Sequence, residues 1–245
     1  MYRLIPAASL LGLLAVWYGL AWWLRSPLLP APDEVVRVLS QHLATGELLH
    51  HLAVTLTRLS ISFTLAMGLG CALGIAMGKS LLLDRVLDPW LTLLLNLPAL
   101  VTIILCYLWL GLSETAAILA VVVNKLPNVA VTLREGARAL DQGLLEMAKV
   151  YRFGRIKTLR HVVWPQLYPF VIAAARTGLA LTWKIILVVE LLGRSDGMGY
   201  QLNLFFQLFD VAGILAYTLA FAIVIQILEW SVLKPLDRHA QRWRR

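Results

Sequence analysis

Six stretches of about 20 mostly apolar residues follow one another along this chain, each long enough to cross the hydrocarbon layer of a bilayer as a helix. They lie at residues 4–24, 52–78, 91–110, 115–133, 167–192 and 211–233. Lipid offers no partner to a backbone N–H or C=O, so apolar segments of this length must be helical. The expected fold class is all-α integral membrane, with about six transmembrane helices. Only 15% of the 245 residues are charged, where soluble domains carry about a quarter. The longest connections, residues 25–51, 134–166 and 193–210, are too short for a separate soluble domain. The first apolar stretch has no small-residue cleavage site and ends in Trp22-Trp23 before Arg25, so it is expected to remain as an anchor.

Lys and Arg accumulate in cytoplasmic loops and so set the orientation. With the N-terminus inside, the cytoplasmic side holds fifteen basic residues: Arg3, Lys79, Arg85, seven in 134–160 and five from Lys234 onward. The other side holds four, Arg25, Arg37, Arg58 and Arg194. Both termini are therefore expected in the cytoplasm. The net charge of +8 points to anionic headgroups and cytoplasmic loops, with no nucleic-acid partner expected.

Enzyme chemistry has little to stand on. No H-E-x-x-H or other metal-ligand spacing occurs, and His50-His51 are expected in an outer loop. "GIAMGKS" (74–80) resembles a phosphate loop, but it has three residues between its glycines instead of four and ends an apolar helix. No ATP binding, metal or cofactor is expected of this chain, and no catalytic residue. Cys71 and Cys106 lie inside apolar runs and read as buried, inert thiols. Ala66, Gly70, Gly74 and Gly78 recur every fourth residue, giving the second span a smooth face for close helix packing. Ala174 and Gly178 offer a shorter version in the fifth.

Residues 134–160 break the apolar pattern with seven basic and three acidic side chains. Good helix formers run through "ALDQGLLEMAKVYRFGRIKTLRHVV". Asp141 is placed to cap a helix, Gly154 to end or bend it, and Pro165 and Pro169 to fix the re-entry into the fifth span. Such a segment either lies on lipid headgroups or docks a cytoplasmic partner through apolar knobs such as Met147, Val150 and Phe153.

Glu146-x-Ala148, with Pro165 nineteen residues after the Glu, resembles the "EAA" loop of binding-protein-dependent ABC importer permeases. Met147 replaces the middle alanine. Arg152 stands where the family has glycine, with Gly154 two residues further on. "LWLGLSETAAI" (108–118) resembles the family's junction between spans three and four. "ARTGLALTWKIILVVELL" (175–192) is similar to its fifth span, with Arg176, Trp183 and Glu190 in register. "GMGYQL" (197–202) resembles an outer segment of the nitrate, sulfonate and taurine branch.

The resemblance implies a type I permease fold: an anchor and periplasmic loop at 1–50, a permease core at 51–235 with its coupling loop at 134–166, and a basic cytoplasmic tail at 236–245. It implies that Glu146, Met147, Ala148, Val150, Phe153, Gly154 and Pro165 couple the chain to an ATPase. The implied partners are two cytoplasmic ATP-binding subunits, a periplasmic solute-binding protein, a second permease chain and the lipid bilayer, here the bacterial inner membrane. ATP hydrolysis then belongs to a separate subunit, and this chain moves a small anionic solute inward by alternating access. A secondary transporter and a membrane scaffold remain alternatives.

For the translocation path the expected residues are Asn96, Asn124, Lys125, Lys184 and Glu190. A lysine deep in a span costs on the order of 3 kcal/mol facing lipid, so Lys125 must face protein or water. Lining the path, pairing with a carboxylate such as Glu190, and snorkelling toward an interface are three uses that would satisfy it.

Overall fold

The structure, a computed structural model, describes residues 5–233 and Pro235; Arg3 and the basic tail expected at 236–245 lie outside the described residues. Among the described residues there are helices and no strands. The chain runs through α1 (Ile5–Leu24), α2 (Pro32–Ala44), α3 (Glu47–Lys79), α4 (Leu81–Asn96), α5 (Ala99–Leu110) and α6 (Glu114–Arg138). It continues through α7 (Gln142–Val150), α8 (Arg155–Thr158), α9 (Trp164–Gly193), α10 (Met198–Gln207) and α11 (Val211–Leu228). Among the described residues four unbroken helices are long and apolar enough to cross a membrane: Glu47–Lys79, Glu114–Arg138, Arg155–Gly193 and Val211–Ser231. The pair α4 and α5 makes a fifth, broken span, and α1 is apolar from Leu11 to Leu24.

Three sequence expectations need correction. The span expected at 91–110 is not one straight helix, because α4 and α5 meet at a bend of 101°. Leu97 there is extended, with φ −71° and ψ 129°, as a residue before proline prefers, and Pro98 starts α5 instead of continuing α4. Pro165 and Pro169 do not mark a re-entry turn. The chain is helical without a break from Arg155 to Gly193, with a π-helical turn at Leu159–Val163 just ahead of Pro165. A wider turn before a proline eases the clash that a regular turn would impose. His50 and His51, finally, lie on the first turns of α3 and not in a loop.

Two compact units divide the chain: one holds residues up to Thr55 together with Glu190–Gln226, the other Leu56–Val189 and the chain from Ile227. In the second, α3 and α6 pack almost backbone to backbone. A Cβ added at Gly70 would lie 2.6 Å from Val129 Cβ, one at Gly78 2.5 Å from Ala137 Cβ, and one at Gly74 against the Ala130 carbonyl oxygen. The small-residue ladder thus does what its spacing indicates. The opposite side of α6 meets α5 and α9, where Ile103, Cys106, Ala117, Val121, Ile186 and Val189 share one core. The Tyr107 hydroxyl donates to the Val189 carbonyl at 2.8 Å.

Ion pairs hold both ends of α6. Arg58, buried on α3, meets Glu114 at 2.5 Å. At the far end Arg134 pairs with Asp84 at 3.3 Å and with Asp88, and Arg138 pairs with Asp84. In the first unit the indole of Trp17 donates to the Pro30 carbonyl at 3.1 Å, tying α1 to the start of α2.

Candidate functional site: the α7 loop and the polar helix faces

The loop is a capped, closed unit. Asp141 starts α7, its Oδ1 accepting from the N–H groups of Gly143 (2.8 Å) and Leu144 (3.2 Å). Its own N–H donates to Gln166 Oε1 at 2.8 Å, fixing the start of α7 to α9. At the other end the Phe153 N–H reaches the Ala148 carbonyl (2.8 Å) and the Arg152 N–H that of Lys149 (3.0 Å). These two bonds make a Schellman motif, with Arg152 in the left-handed conformation at φ 52°. Arg152 therefore adopts the backbone that a glycine would favour.

Gly154 neither ends nor bends α7. It has φ −64° and caps the start of α8, while the stop comes from Arg152. Ala148 is fully buried, whereas Glu146 and Met147 are exposed and Val150 is 79% exposed. Phe153 is half-buried under Lys157, whose Nζ lies 4.4 Å from the ring centroid. Pro165, half-buried, sits in the first turn of α9. One face of the loop is thus anchored and the other presents Glu146, Met147, Val150 and Tyr151 outward.

The polar residues of the spans fall into separate places. Asn96 ends α4, exposed, and donates to the Thr92 carbonyl at 2.7 Å. On α6, Asn124 donates to the Ala120 carbonyl (2.8 Å), Asn128 to that of Asn124 (3.5 Å), and Thr132 to that of Asn128 (2.9 Å). This spacing of four makes one polar stripe along a face that is half-buried to exposed. Lys125 points elsewhere and is 1% exposed. A Cβ added at Gly178 of α9 would lie 2.6 Å from its Nζ, so the glycine leaves a notch for this side chain. Among the described residues Lys125 makes no ion pair. Lys184 is exposed on α9, with its Nζ 5.5 Å from the Trp183 ring centroid.

Glu190 is fully buried, and its carboxylate accepts from the Thr55 hydroxyl (2.8 Å to the nearer oxygen) and the Gly199 N–H (3.0 Å).

A profile of the family described as "Binding-protein-dependent transport system inner membrane component" matches residues 66–233. The chain belongs to this family.

Within it, this permease is 30% identical over 243 residues to the putative aliphatic sulfonates transport permease protein SsuC of Bacillus subtilis (strain 168), covering 98% of this chain and 86% of that one. It is also 30% identical over 246 residues to the taurine transport system permease protein TauC of Escherichia coli (strain K12), covering 98% and 89%. The permease falls in the nitrate, sulfonate and taurine branch that its motifs resemble. Its fold is shared with a solved amino acid ABC transporter crystallised with histidines, at TM-score 0.65 and 20% identity, covering 82% of this chain and 97% of that one.

Sequence reasoning did not find the cluster that holds the permease's "GMGYQL" segment. Glu47, His51 and Thr55 line one face of α3 at a spacing of four and meet the first turn of α10. His51 Nδ1 accepts from the Gly197 N–H (3.0 Å) and Thr55 Oγ1 from the Met198 N–H (2.8 Å). The Gln201 amide nitrogen lies 3.1 Å from Glu47 Oε1 and 2.7 Å from His51 Nε2. The opening N–H groups of α10, which no helix can satisfy internally, thus find partners. The spacing was visible in the sequence, but nothing local to it names a partner about 140 residues away.

Arg152 supports a direct test. A non-glycine residue in the left-handed region costs roughly 1–2 kcal/mol, so Arg152→Gly is expected to stabilise the purified permease by about 1 kcal/mol after the glycine's extra chain entropy is deducted. Thermal melting in detergent measures this. A lowered midpoint would mean that the loop does not turn at residue 152.

Proposed function

We propose that this permease imports a small anionic solute of the sulfonate, taurine or nitrate kind from periplasm to cytoplasm, as one of two membrane chains working with two ATP-binding subunits and a periplasmic binding protein. In this reading both termini are cytoplasmic, in the bacterial inner membrane. The observation that carries it is the α7 loop. It is closed at both ends by capping bonds, anchored through Asp141 and Ala148, and open along Glu146, Met147 and Val150. A rigid element with one anchored and one free face transmits a push from an ATPase to the spans, as alternating access requires.

The path in this proposal runs along the polar faces of the spans. Asn124, Asn128 and Thr132 on α6 and Lys184 on α9 are open on apolar helices, where facing lipid would cost a lysine on the order of 3 kcal/mol. Asn96 contributes at the α4–α5 bend. Lys125 supplies positive potential from behind the path. A positive field in a low-dielectric passage draws anions and repels cations, which fits the solutes named for the relatives.

Reconstituting the chain in vesicles with its ATPase and binding protein tests the proposal. The wild-type complex is expected to take up a sulfonate, taurine or nitrate when ATP is supplied on the cytoplasmic face. Glu146→Arg is expected to lower uptake at least about tenfold, equivalent to about 1.4 kcal/mol of coupling, with the chain still folded. Normal copurification with the ATPase and normal uptake by Glu146→Arg would remove the coupling role. Uptake of only those solutes that carry no anionic group would remove the anionic substrate.

A further inference from the structure

The segment between α9 and α11 shows its most exposed apolar surface where the permease assignment makes no use of it. One face of α10 is locked: Met198, Gly199, Gln201 and Phe205 are buried, and the Phe205 ring lies edge-on to His42 and Tyr217 at 5.7 and 5.0 Å. Its C-terminal end is the opposite, with Phe206 67%, Leu208 66% and Phe209 77% exposed. The helix stops in a Schellman motif, with the Asp210 N–H on the Phe205 carbonyl (2.9 Å) and the Phe209 N–H on that of Phe206 (3.2 Å). Phe209 itself occupies the left-handed position at φ 56°, where a bulky side chain is disfavoured and a glycine would sit without strain. Asp210 then caps α11 at once, its Oδ1 accepting from the Gly213 N–H at 2.9 Å.

We propose that Phe206, Leu208 and Phe209 form a wedge inserted into the headgroup boundary of the bilayer leaflet into which α9 ends and from which α11 starts. Three observations select lipid as the occupant. The wedge is continuous with membrane surface, because α9 ends at Gly193 and α11 starts at Val211, both apolar spans. Residues 197–209 carry no charged side chain, whereas the rim of an interface with a soluble protein partner is polar and commonly charged. In the same unit, Trp22 and Trp23 at the end of α1 are 69% and 76% exposed. Aromatic rings gather at this depth on both sides of a bilayer. α10 is 10 residues long, too short to span, and its one apolar edge suits a helix lying in the interface. With its other edge bonded to His51, Thr55 and Glu190, the wedge ties the depth of α3 and α9 to the lipid surface.

The test uses nitroxide labels on the full chain with Cys71→Ala and Cys106→Ala, in phosphatidylethanolamine–phosphatidylglycerol vesicles. Single variants Phe206→Cys, Leu208→Cys and Phe209→Cys are compared with Glu34→Cys and Gln41→Cys on α2. Collision with oxygen, which concentrates among acyl chains, is measured against collision with a water-soluble nickel chelate. The ratio is expected to be several-fold higher at 206, 208 and 209 than at 34 and 41, at a depth of about 5–10 Å. Ratios equal to the α2 positions would overturn the proposal. So would shielding that arises only when the secreted binding protein is added, since the patch would then dock protein. The three positions give independent readings, so failure of one variant to insert leaves the others decisive.

Discussion

Gly74→Val is expected to abolish the folded permease. A Cβ at this position would press on the Ala130 carbonyl oxygen and lie 2.9 Å from Leu133 Cβ and 3.0 Å from the Ala130 carbonyl carbon. Two of those three atoms are backbone, so no rotamer change relieves the contact and α3 must move away from α6. Overpacking a tight core costs 1–3 kcal/mol where side chains give way, and the cost here is expected at about 3 kcal/mol or above. Size-exclusion profile and melting of the detergent-purified chain read the outcome. Gly68→Val is the control, because nothing lies within 4 Å of a Cβ there. Equal yield and equal melting for the two variants would disprove the close approach of α3 and α6.

Glu190→Ala carries the second large effect. The fully buried carboxylate holds the Thr55 hydroxyl and the Gly199 N–H, and Gly197, at φ 104°, packs so closely that a Cβ there would lie 2.5 Å from both carboxylate oxygens. Hydrogen bonds to a charged group contribute about 1.5–3 kcal/mol each, and their buried donors are left unsatisfied when it goes. The variant is expected to lose about 3 kcal/mol of stability and to free the turn at Ser195, so that a cysteine placed there reacts faster with a thiol reagent. Glu190→Gln keeps one acceptor oxygen and is expected to lose about half as much. If Glu190→Ala melts like the wild type yet transports nothing, the carboxylate acts on the solute and not as a clamp.

These two glycine and carboxylate sites differ in how they could be known beforehand. The ladder Ala66, Gly70, Gly74 and Gly78 is a repeat within one helix, and a repeat of four in an apolar span already means close packing. What it meets is not in the repeat. Glu190 stood out as a charge in an apolar run and by its register with the family's fifth span, but its partner Thr55 lies 135 residues away. Prolines teach the same lesson. Asn96-Leu97-Pro98 and Asn124-Lys125-Leu126-Pro127 look alike, yet the first is a 101° bend and the second an unbroken helix. Pro127 is buried in a stretch of α6 where Val129, Ala130 and Leu133 are buried too, whereas Pro98 is exposed, with little to hold the helix straight.

The sequence by itself determined the all-helical membrane class, the apolar segments, the cap at Asp141 and the membership that the loop and span motifs announced. These are properties of composition and of spacing within one helix, and lipid makes them strict because unsatisfied backbone cannot exist in it. Tertiary structure alone decided where the third span breaks, that Arg152 and not Gly154 turns the α7 loop, that Lys125 fits the notch at Gly178, and that Glu190 closes on Thr55 and Gly199. Except at the loop, each of these depends on which helix lies beside which, an outcome of packing between residues far apart in the chain. At Arg152 the decision is an energy balance: two terminal hydrogen bonds and the burial of Ala148 outweigh about 1–2 kcal/mol of backbone strain, which no residue-type rule could weigh in advance.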